Sequence, residues 1–373
     1  MKIGILTITP NVGFGGIMQA FALKNVLDNM GHETQIIQYV HSDSLKNRIL
    51  YIIHSLTQLI FHHNYIKFSS KSELKFRSQN LLPFIDKYLN FSVKVDNASQ
   101  LNNLINTTFD AVVVGSDQVW RPKYVLGIEN YFLKGVKQNI IKLSYAASFG
   151  VDNWEFTESE TLECSNLLRN FVYVSVREQS GIKLIYEHLR YDGNVYCDLD
   201  PTFLLQKDTY VKLASPDDSC MPNIFTYILD PNQDKKSLVD CVISQTFMEL
   251  RAFNTNAENP NKPLRERVAP KVEDWLTGII NSTYVITDSY HGCVFSIIFN
   301  KPFIVYVNKD RGSERFMSLL SMLGLQKRMI YDMREYKNQL LEAKIDWDKV
   351  NVILEEKRNV ILRRLSDMLS TWN

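Results

Sequence analysis

The stretch Thr283-Tyr-Val-Ile-Thr-Asp-Ser-Tyr-His-Gly-Cys-Val-Phe-Ser-Ile-Ile-Phe-Asn-Lys-Pro-Phe303 decides the fold class. Residues 284–287 suit a buried strand, Asp288-Ser289 a sharp polar corner, and the apolar run after it a helix with His291 in its first turn. A second strand is predicted over 303–307. Strand, corner, helix and strand form the repeating unit of parallel sheets flanked by helices. In such sheets ligands bind beyond the carboxyl ends of the strands, and a helix N-terminus there offers N–H groups and a positive dipole end to an anion. His291 is therefore placed as an acid or base beside an anion site, or as a residue that merely finishes a helix.

The same alternation extends outward in both directions. Strands are predicted over 2–7, 34–39, 111–114, 141–145 and 171–176, and a helix over 17–30 that stops at Gly31. The polar stretch 215–222 reads as a boundary. Beyond it come a strand over 223–229, a helix over 235–245, a weaker strand over 250–253, and a polar loop or lid over 254–270 with three prolines. Helices follow over 272–280 and from Glu314 onward. The amphipathic run 352–369 is expected to pack back across the first domain. The predicted architecture is α/β, with two Rossmann-like domains facing a cleft. Residues 1–214 form the first, on the acceptor side; 223–345 form the second, on the donor side; 346–373 form the returning helix.

The 373 residues suffice for two domains with sizeable cores, and 20 Phe and 18 Tyr mark a folded chain. A formal net charge of +1 gives no global argument for a nucleic-acid partner. Five scattered cysteines without Cys-x-x-Cys spacing argue against a structural zinc site or a disulfide framework. Residues 1–9 run straight into a turn and a helix, so they read as a first strand and not as a signal peptide. No apolar run reaches the length of a membrane span. The expected location is cytoplasmic, at the inner face of the membrane if the apolar segment 48–61 docks there. That segment is flanked by Lys46, Arg48, His62, His63 and Lys67, a pattern that suits either a surface-lying helix or one packed on the core.

Five further stretches stand out along the chain. They are Asn11-Val-Gly-Phe-Gly-Gly-Ile-Met-Gln-Ala20, Val113-Val-Gly-Ser-Asp-Gln-Val-Trp-Arg121, Ser144-Tyr-Ala-Ala-Ser-Phe-Gly150, Ser175-Val-Arg-Glu178 and Asp198-Leu-Asp-Pro-Thr-Phe-Leu-Leu205. In this order, with the His-Gly segment last, they closely resemble the polysaccharide pyruvyl transferase family, from the first strand to about Leu325. The resemblance implies a layout like the two-domain (GT-B-like) glycosyltransferases. It also implies transfer of an enolpyruvyl unit from phosphoenolpyruvate to a sugar, giving a pyruvate ketal. The family's histidine falls on His291 and its anion-contacting arginine on Arg177. Some members carry Arg-Leu-His where this chain has Ser289-Tyr290-His291, so one anion contact is missing and Arg311 or Arg315 is expected to replace it.

The chemistry sets the remaining expectations. A small donor with a carboxylate and a phosphate needs cations or N–H groups, and one group that moves protons near neutral pH. Imidazole titrates there, so His291 is the expected proton-transfer group. Arg177, Ser289, Tyr290, Arg311 and Arg315 are expected at the donor, with a salt bridge the alternative for Arg177 and a solvated loop for 309–315. Ser313 is placed to cap the helix that follows it. Asp117 could serve as base toward a sugar hydroxyl, orient it, or cap a helix. Asn11, Gly15, Gln19, Ser116 and Trp120 are the candidate acceptor contacts, with plain turn, helix-surface and core roles as alternatives. Asp198 and Asp200 sit two apart, but Pro201 makes the segment read as a structural turn, and no metal is expected. The glycine turn lacks Gly-x-Gly-x-x-Gly, so no nicotinamide cofactor is expected.

The leading expectation is a pyruvyltransferase of capsular or exopolysaccharide assembly, acting on a galactose or N-acetylhexosamine acceptor that is lipid-linked or free. The alternatives are a nucleotide-sugar glycosyltransferase and a catalytically silent assembly partner. A homo-oligomer stays open.

Overall fold

A computed structural model describes residues 1–40, 71–217, 219–259, 261–308 and 312–370. The apolar segment 48–61, Lys309 and Arg311 lie outside the described residues.

Two parallel sheets organise the chain. The first contains β1 (Lys2–Leu6), β2 (Glu33–Ile36), β3 (Ala111–Asp117), β4 (Ile141–Ala147), β5 (Tyr173–Val176) and β6 (Val195–Cys197), in the order β2-β1-β3-β4-β5-β6. The second contains β7 (Asn223–Tyr227), β8 (Glu249–Ala252), β9 (Tyr284–Thr287), β10 (Phe303–Tyr306) and β11 (Met329–Ile330), in the order β11-β10-β9-β7-β8. The central strands are apolar at nearly every position. Ala111 to Val114 are all buried, as a strand covered by helices on both faces requires.

Element positions differ from the sequence expectation mainly at their ends. The predicted strand 111–114 runs on to Asp117, which carries Ser116 and Asp117 to the carboxyl edge of the sheet. The predicted strand 34–39 is only Glu33–Ile36. The edge strand β6 went unpredicted because its three residues are half-buried and lack a run of apolar neighbours. The first helix spans Phe14–Asn29, three residues earlier than predicted, because Phe14 is an apolar anchor and not part of the turn. Among the described residues of 254–270 only short 3-10 turns form, at Asn256–Glu258 and Leu264–Glu266. Ser313 does not cap the helix Glu314–Met322, since its own backbone is already helical and its hydroxyl turns to Glu314.

One apolar core continues through both sheets. Phe14, at the start of a first-sheet helix, stacks on Trp275 at 5.5 Å and meets Phe253 and Tyr227 edge-on, all three from the second half of the chain. Arg77 donates to the Ala257 carbonyl (2.7 Å) and Arg267 pairs with Glu73 (2.7 Å), adding polar ties between the halves. The last helix, Trp347–Ser370, lies on the first sheet's side. Its Arg358 donates to the Phe203 carbonyl (2.8 Å), and its Arg364 pairs with Asp198 (3.1 Å). All five cysteines are free thiols. Among the described residues no helix is long and apolar enough to cross a membrane.

Candidate active site

The corner after β9 is held rigid by side chains that satisfy its own backbone. Thr287 Oγ1 donates to the Tyr227 carbonyl (2.6 Å) and accepts the Ser289 N–H (3.0 Å). Asp288 accepts the N–H groups of Leu229 (2.6 Å) and Asp230 (3.0 Å) and pairs with buried Lys235 (2.6 Å). Ser289 caps the helix Tyr290–Ile298 by accepting the Gly292 N–H (3.3 Å). These contacts leave His291 in the first helical turn, buried, with one ring edge at a cavity.

The helix Phe14–Asn29 approaches from the other sheet with its N-terminus toward the same cavity. No side chain caps its first N–H groups and no acidic residue occupies its first turn, so these donors are available to an anion. Gly15 is what permits the approach, because a Cβ there would lie 2.0 Å from His291 Nδ1. The cavity, of about 160 Å³, is walled by Gly13–Gly16, Asp117 and Gln118 from the first half and by Ser289, Tyr290, His291 and Arg315 from the second. Asp117 sits in the left-handed backbone region (φ 88), which turns its carboxylate toward the cavity wall while Oδ1 accepts the Gln118 N–H at 2.8 Å.

Behind His291 lies a buried ionic cluster. Asp200 Oδ2 is 3.3 Å from His291 Nε2 and 3.2 Å from Arg177 Nη2, and the side chains of Asp200 and Arg177 are fully buried. The His291 contact is one of charge proximity, since the ring N–H is not aligned on the carboxylate as in a full hydrogen bond. Asp200 Oδ1 accepts the Thr202 N–H (3.0 Å) and hydroxyl (2.7 Å). Burial alone would raise the Asp200 carboxyl, but Arg177, His291 and Thr202 outweigh it and hold it well below the usual carboxylate range. Arg177 also donates to the Ser116 hydroxyl, and its Nε and Nη1 are buried without partners. Both Arg177 and Arg315 lie over the Tyr290 ring, at 5.4 and 5.1 Å from its centroid. Burial, then the nearby Arg177 charge, pushes the Arg315 guanidinium below its ordinary value, so an anion in the cavity would relieve it.

Several predicted contacts fall elsewhere. Trp120 is fully buried, stacks on Phe132 at 4.8 Å and donates to the Tyr131 carbonyl (3.1 Å), so it has no face to offer a sugar. Ser116 is buried beneath the cavity, its hydroxyl shared between the Ala146 carbonyl (2.9 Å) and Arg177. Gln19 is buried too and donates to Thr7 and to the Gly16 carbonyl (3.0 Å), so it steadies the helix start from inside. Asn11 is exposed and accepts the Val12 N–H, outside the cavity wall. Gly15 does line the cavity, as a spacer. Arg177 lines a second cavity of about 90 Å³, shared with Tyr290 and Asp200, and not the first. Of the expected donor residues, the structure gathers Ser289, Tyr290, His291 and Arg315 at one wall and places Asp117 among the other lining residues.

Two residues matter more than their sequence context suggested. Asp200 does cap the short turn Pro201–Leu204, which is why Asp-x-Asp-Pro reads as structural, yet its second oxygen reaches His291. Glu178 accepts the Ser148 hydroxyl (3.1 Å) and the Phe149 (2.7 Å) and Gly150 (3.0 Å) N–H groups, pinning that loop. Burial pushes its carboxyl up, against the pull of those donors and of Arg315 and Arg177. Only a two-residue gap before a proline, and a Glu beside an Arg, signalled them. Among the described residues no group of His, Cys, Asp and Glu is clustered to hold a metal ion.

Two parallel-sheet α/β domains meeting over a cleft give the chain a GT-B-like fold. The fold is shared with a putative UDP-N-acetylglucosamine 2-epimerase from Listeria monocytogenes, at TM-score 0.54 and 12% identity over 100% of this chain and 98% of that one. The N-terminal domain of Candida albicans trehalose-6-phosphate phosphatase is similar as well, at TM-score 0.50 and 12% identity over 99% and 96%. No curated protein sequence matches the chain. The family model for polysaccharide pyruvyl transferase matches residues 14–310. The chain belongs to that family and is a transferase enzyme.

Proposed function

We propose that the donor is phosphoenolpyruvate and that the product is a pyruvate ketal on a sugar of a capsular or extracellular polysaccharide. The observation that supports this donor best is the meeting of an uncapped helix N-terminus, Arg315 and His291 at one small cavity. That set suits a compact anion carrying a carboxylate and a phosphate.

In the reaction, the methylene carbon of the donor gains a proton from His291, leaving an oxocarbenium-like carbon that bears the carboxylate and the phosphate ester. A sugar hydroxyl adds to that carbon and gives up its proton to Asp117. The C–O bond to phosphate then breaks, phosphate departs with its electron pair, and a second hydroxyl of the same sugar closes the ketal as its proton is lost. Donor plus diol thus become ketal plus phosphate, with no redox change. The first-turn N–H groups of Phe14–Asn29 and Arg315 hold the phosphate and carboxylate, with Ser289 and Tyr290 shaping that wall. Arg177 acts from behind Tyr290 by keeping Asp200 ionised, and Arg311 is a further candidate for the donor. The acceptor, lipid-linked or free and of galactose or N-acetylhexosamine type, enters past Asp117 and Gln118. A cytoplasmic site at the inner membrane face, with 48–61 as contact, fits a lipid-linked acceptor.

Phosphate release from phosphoenolpyruvate with a panel of lipid-linked galactosides and hexosaminides, with mass spectrometry of the products, tests this reading. The expected product is heavier by one pyruvyl ketal, and His291→Ala is expected to abolish its formation while the far-ultraviolet spectrum stays unchanged. Binding of a uridine nucleotide sugar, without phosphate release from phosphoenolpyruvate, would replace the reading with a glycosyltransferase.

A further inference from the structure

The environment of the His291 ring is asymmetric, and the asymmetry decides which nitrogen can react. Nε2 is buried and lies 3.3 Å from Asp200 Oδ2. The ring nevertheless lines the cavity, with Gly15 packed over its face beside Nδ1, where a Cβ would come within 2.0 Å, and Nδ1 is not a buried, unpartnered atom as Nε2 is. The nitrogen within reach of a bound substrate is therefore Nδ1.

Asp200 is built to hold its position. Its Oδ1 is committed to two donors on Thr202, which fixes the carboxylate plane. Arg177 contacts Oδ2 from a second direction, and Ser116 in turn fixes Arg177. An ionised carboxylate held 3.3 Å from one imidazole nitrogen favours the tautomer with the proton on that nitrogen. Hydrogen bonds of this kind are often loose before substrate binds and tighten in the reacting complex.

We propose that Asp200 is a positioning residue that keeps Nε2 of His291 protonated, so that proton exchange with substrate runs through Nδ1. The inference rests on His291 being the proton-transfer group and extends it to a specific atom and a specific partner. In the forward direction the Nδ1 proton passes to the donor's methylene carbon, while the Nε2 proton stays on the ring facing Asp200. The groups that face or surround the ring are Asp200 and Arg177 behind it, Tyr290 on its own helix, and Arg315 and Asp117 on the cavity wall.

The test is nitrogen-15 NMR of the intact protein labelled at histidine. The chain has seven histidines, so subtracting a His291→Gln spectrum assigns the ring. As pH is raised the expected result is loss of the Nδ1 proton with Nε2 still protonated. Asp200→Asn is expected to remove that preference and to lower turnover by about 10,000-fold, the scale seen when a histidine's tautomer is no longer held. A ring that sheds its Nε2 proton first, or stays doubly protonated to the alkaline limit of the fold, overturns the proposal. The wild-type spectrum decides the matter even if Asp200→Asn fails to fold. It needs no donor, so a wrong choice of phosphoenolpyruvate would appear in the turnover assay and not here.

Discussion

Gly15 shows how a single residue can set the geometry of this site. The absence of a side chain lets the start of one domain's helix touch the histidine of the other, and any Cβ would displace the imidazole. A displacement of about 1 Å in a catalytic group costs on the order of 100-fold in rate. Gly15→Ala should therefore lower turnover by at least that factor, beyond what its loss of stability from overpacking explains, which steady-state kinetics and calorimetry would check together. Asp200 makes a separate prediction about pH. Its carboxyl is held well below the unfolded value of about 3.9, so the folded state binds fewer protons than the unfolded state once pH drops past that point. The resulting stabilisation is complete above pH ~4 and is lost as pH falls toward the folded value. Urea unfolding followed from pH 6 downward should show this loss in the wild type and a shallower one in Asp200→Asn. Equal slopes would mean that other carboxylates control acid unfolding. Residues such as Asp200 and Gln19 were hard to read in the sequence, because nothing local distinguishes a turn-capping aspartate or a helix glutamine from one that also reaches inward.

Elements were legible where their patterns are strong and local. The helix over 272–280 and the strand over 284–287 stand where the sequence places them, because apolar spacing and flanking polar residues agree. The strand β6 is not legible in the sequence because an edge strand needs few apolar residues. The helix Tyr290–Ile298 depends on the Ser289 cap at its buried N-terminus. Ser289→Ala should cost about 1 kcal/mol of stability, read from the urea midpoint at constant slope. It should also weaken donor binding, because the freed Gly292 N–H lies at the turn that carries His291. The sequence context of Ser313 fits a cap, but the chain already enters the helical region one residue early.

At the scale of the whole molecule, the cleft exists because the two sheets share a core. Phe14 is the most explicit link: it belongs to the first domain's helix yet is buried among Trp275, Tyr227 and Phe253. Phe14→Ala should destabilise the protein by about 3 kcal/mol or more, as truncations of buried phenylalanines do. It should also lower activity further than that loss of stability explains, because the same residue positions Gly15; urea unfolding alongside kinetics would separate the two effects. Gly312 and Gly150 give a second link, since a Cβ on Gly312 would lie 1.6 Å from the Gly150 carbonyl oxygen. The sequence by itself determined the two parallel α/β domains, the strand-end turns and the place of His291 in a first helical turn. Apolar periodicity, breakers and caps are local and need only neighbouring residues. Only the tertiary structure decided that Asp200 faces His291, that Arg177 sits behind Tyr290, that Arg315 lines the cavity and that Trp120 belongs to the core. Those pairings join residues tens to hundreds of positions apart, and they follow from how the two sheets pack.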